Sequence, residues 1–395
     1  MVIYREITNT LIKLSTQFPV VGIMGPKQSG KTTLAKETFP NYSYVTLEDI
    51  DIKLSAKDYP RRFLQSFAQR TGVIIDEIQE VPELFSYMQG IVDQAYKPGF
   101  FIVTGSQNFL MYEKITQTLA GRIALLTLLP LAINELQSVT KLPLTAEEIM
   151  FKGLYPRIYS QNIEVNSWFS NYIATYAERD VRQLINIGDL TTFQKFLKLC
   201  AARIGNLLNY AELARDCDIS PNTAKAWISI LETSYIIKLL QPYYKNYNKR
   251  IIKSPKLYFY DTGLACALLG IKNSEELHSN PIRGALFENL IIMEFFKKYY
   301  NAGQRPEIYF WRDVQGHEID CVIEESFNAL IPIEIKSSMT INPRFFKELI
   351  DWQKITGHSE KNMYLVYAGD QDYFRAHGQI ISWRNLGNIP TLPKP

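Results

Sequence analysis

Hydrophobic residues recur along this chain at two spacings, and the order in which the spacings alternate sets the expected architecture. Ile3, Ile7, Leu11, Ile12 and Leu14 fall at helical intervals, and Pro19-Val20-Val21-Gly22-Ile23-Met24 follows as a short apolar run of strand type. Thr32 to Glu37 reads as the first turns of a helix, Tyr42 to Leu47 as a second strand ending at Glu48-Asp49, and the segment onward to Gln69 as helical. Gly72-Val73-Ile74-Ile75-Asp76-Glu77 and Phe100 to Val103 are further buried strands, and another follows Arg122. Strands alternating with helices require crossovers, so the first part of the chain is predicted to be an α/β unit on a parallel sheet.

The pattern changes twice more. From Trp168 to Ala202 apolar residues recur three and four apart with Glu178, Arg179, Asp180 and Arg182 on the polar side, the pattern of a helical bundle. Residues 209–231 then read as helix, turn, helix: Ser220 is a good N-cap, Pro221 suits the first helical position, and Ala224, Ile228 and Leu231 face inward. Asn222, Thr223, Lys225 and Ser229 are left facing out. Ile236 to Leu240 and Lys256 to Tyr260 are expected strands of a wing. After Pro281-Ile282-Arg283-Gly284 comes a helix over Ala285 to Tyr300, then strands Ile308–Arg312, Glu318–Ile323 and Ala329–Lys336, the last two joined by a turn at Glu324–Asn328. A helix around Phe345–Ile350, a strand at Met363–Tyr367 and a loose Pro-rich end at 390–395 complete the chain. Three domains are expected, over 1–140, 141–280 and 281–395.

Bulk composition narrows the class. A chain of 395 residues with 46% hydrophobic and 21% charged residues has room for two or three cores, and a net charge of +3 makes the whole molecule no obvious polyanion binder. Cys200, Cys217, Cys266 and Cys321 lie far apart without a C-x-x-C pair, so free thiols in a reducing cytoplasm are expected rather than a zinc site or disulfides. The N-terminus lacks a signal-peptide pattern, and the longest apolar run, Ile123 to Ile133, is too short to span a bilayer. A soluble cytoplasmic protein with no membrane partner is the expectation.

Chemistry concentrates first at Gly25-Pro26-Lys27-Gln28-Ser29-Gly30-Lys31-Thr32, which fits the phosphate-loop pattern G-x-x-x-x-G-K-[ST] between a strand and a helix. The glycines let successive N–H groups turn inward, and the helix that Thr32 and Thr33 open adds its dipole, so the loop is a site for the phosphates of ATP. Lys31 would reach the β- and γ-phosphates and Thr32 would bind Mg²⁺. At the end of the third strand, Asp76 would support the Mg²⁺ hydration shell and Glu77 would polarise the attacking water. Thr104, Ser106 and Asn108 are candidates to sense the γ-phosphate, with Ser106 preferred. Arg122 is a candidate arginine finger or, equally, one half of a surface salt bridge.

The other two parts carry weaker signals. Tyr243, Tyr244 and Tyr247 interleave with Lys245, Lys249, Arg250, Lys253 and Lys256, a composition suited to phosphate contacts and base stacking, while the outward face of the second helix offers one cation. Double-stranded DNA and a protein partner both remain open. In the Ala329–Lys336 strand, Glu334 and Lys336 share one face because the side-chain period is two. With Asp320 on the neighbouring strand and Glu288 on the preceding helix they make three carboxylates and a lysine, enough to bind Mg²⁺ and orient a water. A surface salt-bridge cluster on a binding module is the alternative.

Taken together, the loop, Ile74-Ile75-Asp76-Glu77-Ile78-Gln79, Val103-Thr104-Gly105-Ser106 and Leu119-Ala120-Gly121-Arg122 resemble a prokaryotic AAA-type ATPase family whose C-terminal half is of uncharacterised function. Tyr176-Ala177-Glu178-Arg179-Asp180-Val181 resembles the linking helix of that family. The spacing of Glu288, Asp320 and Glu334-Ile335-Lys336 resembles the PD-(D/E)xK nuclease fold, with Ile319 where the pattern has proline. That resemblance implies Asp320 and Glu334 as metal ligands, Lys336 positioning or activating the attacking water, Glu288 assisting, and Trp311, Arg312 and His317 along a DNA path. Two functions follow as expectations. One is an ATPase driving a winged-helix and nuclease-like half on DNA; the other is an ATP-dependent switch for homo-oligomer or protein-partner assembly with an inactive nuclease-like fold. A nucleotide kinase would leave the central and C-terminal parts unexplained.

Overall fold

The computed structural model describes residues 2–106, 118–139, 144–177, 190–244, 253–326, 329–357, 362–390 and 392–393. Its first unit is a five-stranded sheet in the order β2-β3-β4-β1-β5, built from β1 (Val20–Met24), β2 (Ser43–Thr46), β3 (Val73–Asp76), β4 (Phe101–Gly105) and β5 (Ile123–Thr127). Every pairing is parallel, with β1 in register between β4 and β5, Val20 opposite both Phe101 and Ile123. All five residues of β1 are buried, which is why its sequence shows no alternation. At Gly22 the neighbouring strand packs close, and a Cβ would stand 2.7 Å from Leu125 Cδ2 on β5, so a larger residue would have to push that side chain aside. Helices α1 (Thr8–Ser15), α2 (Lys31–Thr38), α3 (Ile50–Asp58), α4 (Pro60–Gln65) and α5 (Leu84–Gln94) flank the sheet. The segment read as one helix to Gln69 is two, because Tyr59 leaves helical geometry before Pro60, which then opens α4.

The helix-turn-helix segment folds as helices Tyr210–Asp216 and Pro221–Thr233, the second capped by the Ser220 hydroxyl accepting from the Thr223 N–H at 3.0 Å. Trp227 fills its inner face, edge-on to Phe193 and Phe196 of helix Leu190–Ala202. Strands β6 (Ile237–Leu240) and β7 (Lys256–Phe259) then pair antiparallel.

The last unit is a mixed six-stranded sheet, β12-β13-β11-β10-β9-β8, of β8 (Ile308–Arg312), β9 (Glu318–Ser326), β10 (Ala329–Lys336), β11 (Tyr364–Tyr367), β12 (Tyr373–Arg375) and β13 (Gly378–Ser382). β9 runs three residues past the expected strand, and β12 and β13 lie beyond the last strand anticipated.

One 19-residue helix, Arg283–Asn301, touches all three parts. Near its C-terminus the Thr10 hydroxyl donates to Asn301 O at 2.7 Å, and Lys297 Nζ donates to Leu131 O at 2.8 Å. Nearer its start, the Asn289 amide both accepts from the Phe259 N–H at 2.6 Å and donates to Phe259 O at 2.8 Å, binding β7 to the helix. Among the described residues no helix is long and apolar enough to cross a membrane.

Candidate functional site: a phosphate loop and a second charged cluster

The loop after β1 is shaped by three residues in the left-handed half of conformational space, Gly25 (φ 149°), Gln28 (φ 64°) and Gly30 (φ 97°). Glycine is obligatory at 25, where a Cβ would lie 2.1 Å from Leu128 O. Pro26 and Ser29 are buried within the loop, Lys27 is half-buried, and Gln28 and Thr33 are exposed. Lys31 is buried, and its ammonium folds back to donate to Gly25 O at 3.0 Å and Pro26 O at 2.9 Å. Burial pushes Lys31 down to about 8, against the opposing pull of the Glu77 and Asp76 charges. The Ser29 hydroxyl is fully buried with no partner. A cradle closed to side chains, a lysine held only by loop carbonyls and an orphaned hydroxyl together fit a phosphate ligand.

β4 lies between β1 and β3, yet the ends of β1 and β3 converge through α2. The Thr32 hydroxyl donates to Asp76 Oδ2 at 2.9 Å, the Tyr44 hydroxyl to the same oxygen at 2.9 Å, and the Thr104 hydroxyl to Oδ1. Burial and the Asp76 charge push the Tyr44 phenol up to about 12. The next residue, Glu77, sits at φ 53°, ψ 49°, a conformation that costs a non-glycine residue roughly 1 kcal/mol and clusters at functional sites. Its carboxylate accepts from the Gln79 amide and, at 3.2 Å, from the Ser106 hydroxyl. Thr104 therefore serves Asp76 while Ser106 serves Glu77, and Asn108 lies outside the described residues.

Two features of this site were not legible as a motif. Arg5, buried, reaches across the back of the loop: Nη1 donates to Ser29 O at 2.7 Å, Nη2 to Leu129 O at 2.7 Å and Nε to Glu135 Oε2 at 3.0 Å. Beside it a cavity of about 460 Å³ opens between the N-terminal segment, α2 and the middle unit, lined by Tyr4, Gly30, Thr33, Glu37, Pro156 and Ser160 among others.

Of the two roles open to Arg122, the structure shows the salt bridge. Arg122 precedes β5 at the edge where Val20 begins β1, one strand length of roughly 15 Å from the loop. Its Nε stands 2.5 Å from Asp93 Oδ1, an exposed pair, so it is a surface salt bridge and no finger toward its own loop.

The second cluster forms where β7, helix Arg283–Asn301, β9 and β10 meet. Asp320 Oδ2 accepts the Ile335 N–H at 2.8 Å and lies 3.6 Å from Lys336 Nζ, which also bonds Glu334 Oε1. Glu334 is 2% exposed, and its Oε2 has no partner. Burial and the charge of Asp320 push Glu334 well above the usual carboxylate range, and the same two causes raise Glu288 to about 7.

Lys256 corrects an expectation. Instead of facing solvent for phosphate contacts it is 3% exposed, with Nζ 2.6 Å from Glu318 Oε1 and 3.1 Å from Glu288 Oε1. Burial alone would lower it, but Glu288, Asp320 and Glu318 outweigh that and hold it above its ordinary value. The Tyr258 hydroxyl donates to Glu288 Oε1 at 2.5 Å. Tyr243, also expected at a nucleic-acid face, is buried against β8, its N–H donating to Phe310 O. Arg312 pairs with Glu318 and His317 faces Glu348, while Trp311 is half-buried. Lys245, Tyr247, Lys249 and Arg250 lie outside the described residues.

With lysines between the carboxylates, no three His, Cys, Asp or Glu side chains among the described residues are grouped to hold a metal ion. As arranged, the cluster does not fit Mg²⁺, whereas the Thr32–Asp76 pair at the loop offers hard oxygen donors beside the phosphate cradle. Asn222, Lys225 and Ser229 are exposed on helix Pro221–Thr233.

Comparison with known proteins divides the chain in the same sense. Residues 17–137 match the model of an AAA domain, 144–275 a domain of unknown function (DUF8612) and 283–386 a second domain of unknown function (DUF4143). Uncharacterized proteins of Mycobacterium bovis and Mycobacterium tuberculosis are each 29% identical over 376 residues, 93% of this chain and 81% of theirs. Among solved structures, the Walker-type ATPase of Pyrococcus abyssi aligns with a TM-score of 0.44 at 15% identity, over 67% of this chain and 95% of its own. The Holliday junction branch migration motor RuvB of Thermotoga maritima aligns with a TM-score of 0.32 at 16% identity, over 60% and 89%. The parallel sheet, the loop at Gly25 and the match over residues 17–137 agree: the N-terminal unit of this chain is an AAA-type P-loop ATPase domain.

Proposed function

We propose that the protein hydrolyses ATP at the Gly25–Thr32 loop and uses the cycle to rearrange a winged-helix and nuclease-like half acting on double-stranded DNA. The observation that carries the ATPase part is the convergence of Thr32, Asp76 and Thr104, with Glu77 adjacent and held by Gln79 and Ser106. Lys31 exchanges its two loop carbonyls for the β- and γ-phosphates. Thr32 and Asp76 would hold Mg²⁺, which neutralises phosphate charge when bound. Glu77 accepts the proton of the attacking water, and Ser106 and Gln79 keep its carboxylate aimed. The base and ribose have room in the cavity beside Tyr4 and Thr33.

Arg5 positions the loop. Across a trans peptide the C=O of one residue and the N–H of the next point in opposite directions, so pinning Ser29 O against Arg5 turns the Gly30 N–H away from Arg5 and toward the phosphate side. Glu135, bonded to Arg5, also accepts the Glu6 N–H at 2.6 Å, and Glu6 Oε2 accepts from Asn301 at 3.2 Å. This chain of contacts supports coupling of loop occupancy to helix Arg283–Asn301, the helix that carries Glu288.

The exposed Asn222, Lys225 and Ser229 support contact with DNA, and the nuclease-like part of the reading rests on the resemblance carried by Glu288, Asp320 and Glu334-Ile335-Lys336. A second reading, an ATP-dependent switch for assembly with a partner or a second copy, is favoured by the lysines that fill the C-terminal cluster. ATP turnover measured with and without double-stranded DNA separates the two: stimulation by DNA supports the first, and turnover indifferent to DNA supports the second. Nicking of DNA by the full chain with Mg²⁺ or Mn²⁺, lost in Asp320→Ala while ATP turnover survives, would assign the cutting site; equal nicking by the variant would refute it.

A further inference from the structure

Three hydroxyls serve Asp76, and one of them comes from a strand that carries no motif. The Thr32 hydroxyl of α2 lies between both carboxylate oxygens, 3.0 Å from Oδ1 and 2.9 Å from Oδ2. Thr104 and Tyr44 sit on β4 and β2, the strands on either side of β3, and donate to Oδ1 and Oδ2 respectively, Tyr44 at 2.9 Å. A carboxylate has about four lone-pair positions, so three hydroxyl hydrogens leave about one of them open. The Tyr44 bond is not a by-product of strand pairing. In the register of β2 with β3, Thr46 stands opposite Asp76 and Tyr44 opposite Ile74. The phenol therefore reaches Asp76 along the diagonal from two residues back, a span within reach of an aromatic side chain and beyond that of a serine or threonine. Nor does core packing account for the ring: Tyr44 is 36% exposed, whereas its neighbour Val45 packs against the core of the sheet. What holds the ring is Lys36, whose Nζ lies 3.3 Å over its centre. Lys36 is one turn beyond Thr32 on the same face of α2, so the helix that supplies Thr32 also clamps Tyr44.

We infer that Tyr44 is a positioning residue for the divalent cation of the nucleotide site, its hydroxyl fixing the Asp76 carboxylate before any metal arrives. A carboxylate free to rotate must be ordered when a cation binds, and donors that order it beforehand remove that cost. Groups that orient a metal's ligands in this way change its affinity by about 10- to 100-fold. Thr32 cannot fill the role, because its own oxygen is the other donor to the cation. Tyr44 and Thr104 can, one oxygen each, and Tyr44 is the one whose hydroxyl is removable with the ring left in place. The inference rests on the ATPase reading for the identity of the site, and it adds Tyr44, with Lys36 behind it, to the residues that decide how tightly the site holds its metal.

The test is Mn²⁺ binding to the full chain with a non-hydrolysable ATP analogue, followed by the electron paramagnetic resonance of free Mn²⁺ and counted as the increment the analogue produces. Binding of the analogue alone, in EDTA, is measured beside it. Tyr44→Phe keeps the ring and its contact with Lys36 and removes only the hydroxyl. It is expected to hold Mn²⁺ about tenfold more weakly, with affinity for the metal-free analogue within about twofold of wild type, because Lys31 and the loop N–H groups are untouched. Lys36→Met keeps the hydroxyl and removes the cation over the ring; it should weaken Mn²⁺ about threefold. Tyr44→Leu, lacking ring and hydroxyl, should lose at least as much as Tyr44→Phe. Mn²⁺ affinity unchanged in Tyr44→Phe and lost only in Tyr44→Leu would make the ring a structural filler and overturn the inference. An equal loss of metal-free analogue binding in Tyr44→Phe would overturn it too, by showing damage to the loop rather than to the metal. Wild type that binds no analogue with or without Mn²⁺ would refute the ATPase reading, and this inference with it.

Discussion

Replacing Lys31 by Met separates what this residue costs the fold from what it gives the nucleotide. Burial lowers Lys31 from 10.5 to about 8, and at 1.36 kcal/mol per unit that difference is about 3 kcal/mol charged against the nucleotide-free fold. The sign follows from proton counting. Between pH 8 and 10.5 the unfolded chain holds a proton at this lysine that the folded chain has released, so wild-type stability gains with rising pH across that window. Below pH 8 the penalty is fully present; above 10.5 it is gone. Met has no proton to lose and packs a similar stem, although it leaves the Gly25 and Pro26 carbonyls without their donor. Whatever that loss costs, it does not depend on pH. The stability of Lys31→Met relative to wild type is therefore expected to fall by about 2 to 3 kcal/mol between pH 7 and pH 10, measured by denaturant unfolding of both proteins at each pH, where the difference cancels every other titrating group. In the same assay at pH 7, ATP at a hundredfold excess over its dissociation constant stabilises wild type by about 2.7 kcal/mol. It should leave Lys31→Met unmoved. A pH-independent difference would refute the buried, strained lysine, and equal stabilisation of both by ATP would refute its contact with phosphate.

Three other substitutions probe the surroundings. Gly25→Ala drives a Cβ into Leu128 O at a φ that alanine avoids, and should cost at least 3 kcal/mol of stability by thermal melting together with loss of nucleotide binding. Arg5→Gln breaks three buried bonds and is expected to raise KM for ATP tenfold or more with a smaller change in kcat, and Arg5→Lys to recover only part, because lysine cannot fork between Ser29 O, Leu129 O and Glu135. An equal fall in kcat would show that Arg5 acts in the chemistry itself. Arg122→Ala removes only an exposed ion pair with Asp93, so steady-state turnover should stay within twofold of wild type and stability within 1 kcal/mol. A hundredfold loss of turnover would restore Arg122 as a finger supplied to another copy.

What could be read from the amino-acid order alone was whatever the chain keeps contiguous. The phosphate loop is eight successive residues between a strand and a helix, and Asp76-Glu77 ends an apolar run, so both stand out before any fold is known. The Thr104 hydroxyl on Asp76 and the Ser106 hydroxyl on Glu77 depend instead on the strand order, which sets β4 beside β3, and spacing carries no information about that order. Arg5 escaped because a lone arginine before an apolar helix is ordinary; only the fold lays the N-terminal segment across the back of the loop. Lys256 was misread for a related reason. Among neighbouring lysines and tyrosines it has the composition of a nucleic-acid face, yet its place in β7 tucks it beneath Glu288 and Glu318. Arg122 is ambiguous between two roles in the sequence, and the register of β5 with β1 places it at the end of the sheet away from its own loop, where it pairs with Asp93. In the C-terminal sheet, alternation along β10 correctly put Glu334 and Lys336 on one face, while the cation that reaches Glu288 came from more than thirty residues earlier.

The central claim is that the loop at Gly25 hydrolyses ATP with Glu77 as the group that receives the proton of water. Phosphate release by the full chain at saturating ATP and Mg²⁺, measured for wild type and Glu77→Gln alongside nucleotide affinity, tests it most directly. The account predicts turnover by wild type, affinity within about threefold in the variant, and turnover lower by a factor of about 100 or more. Equal turnover by the two proteins, or none by wild type that binds ATP, would contradict it.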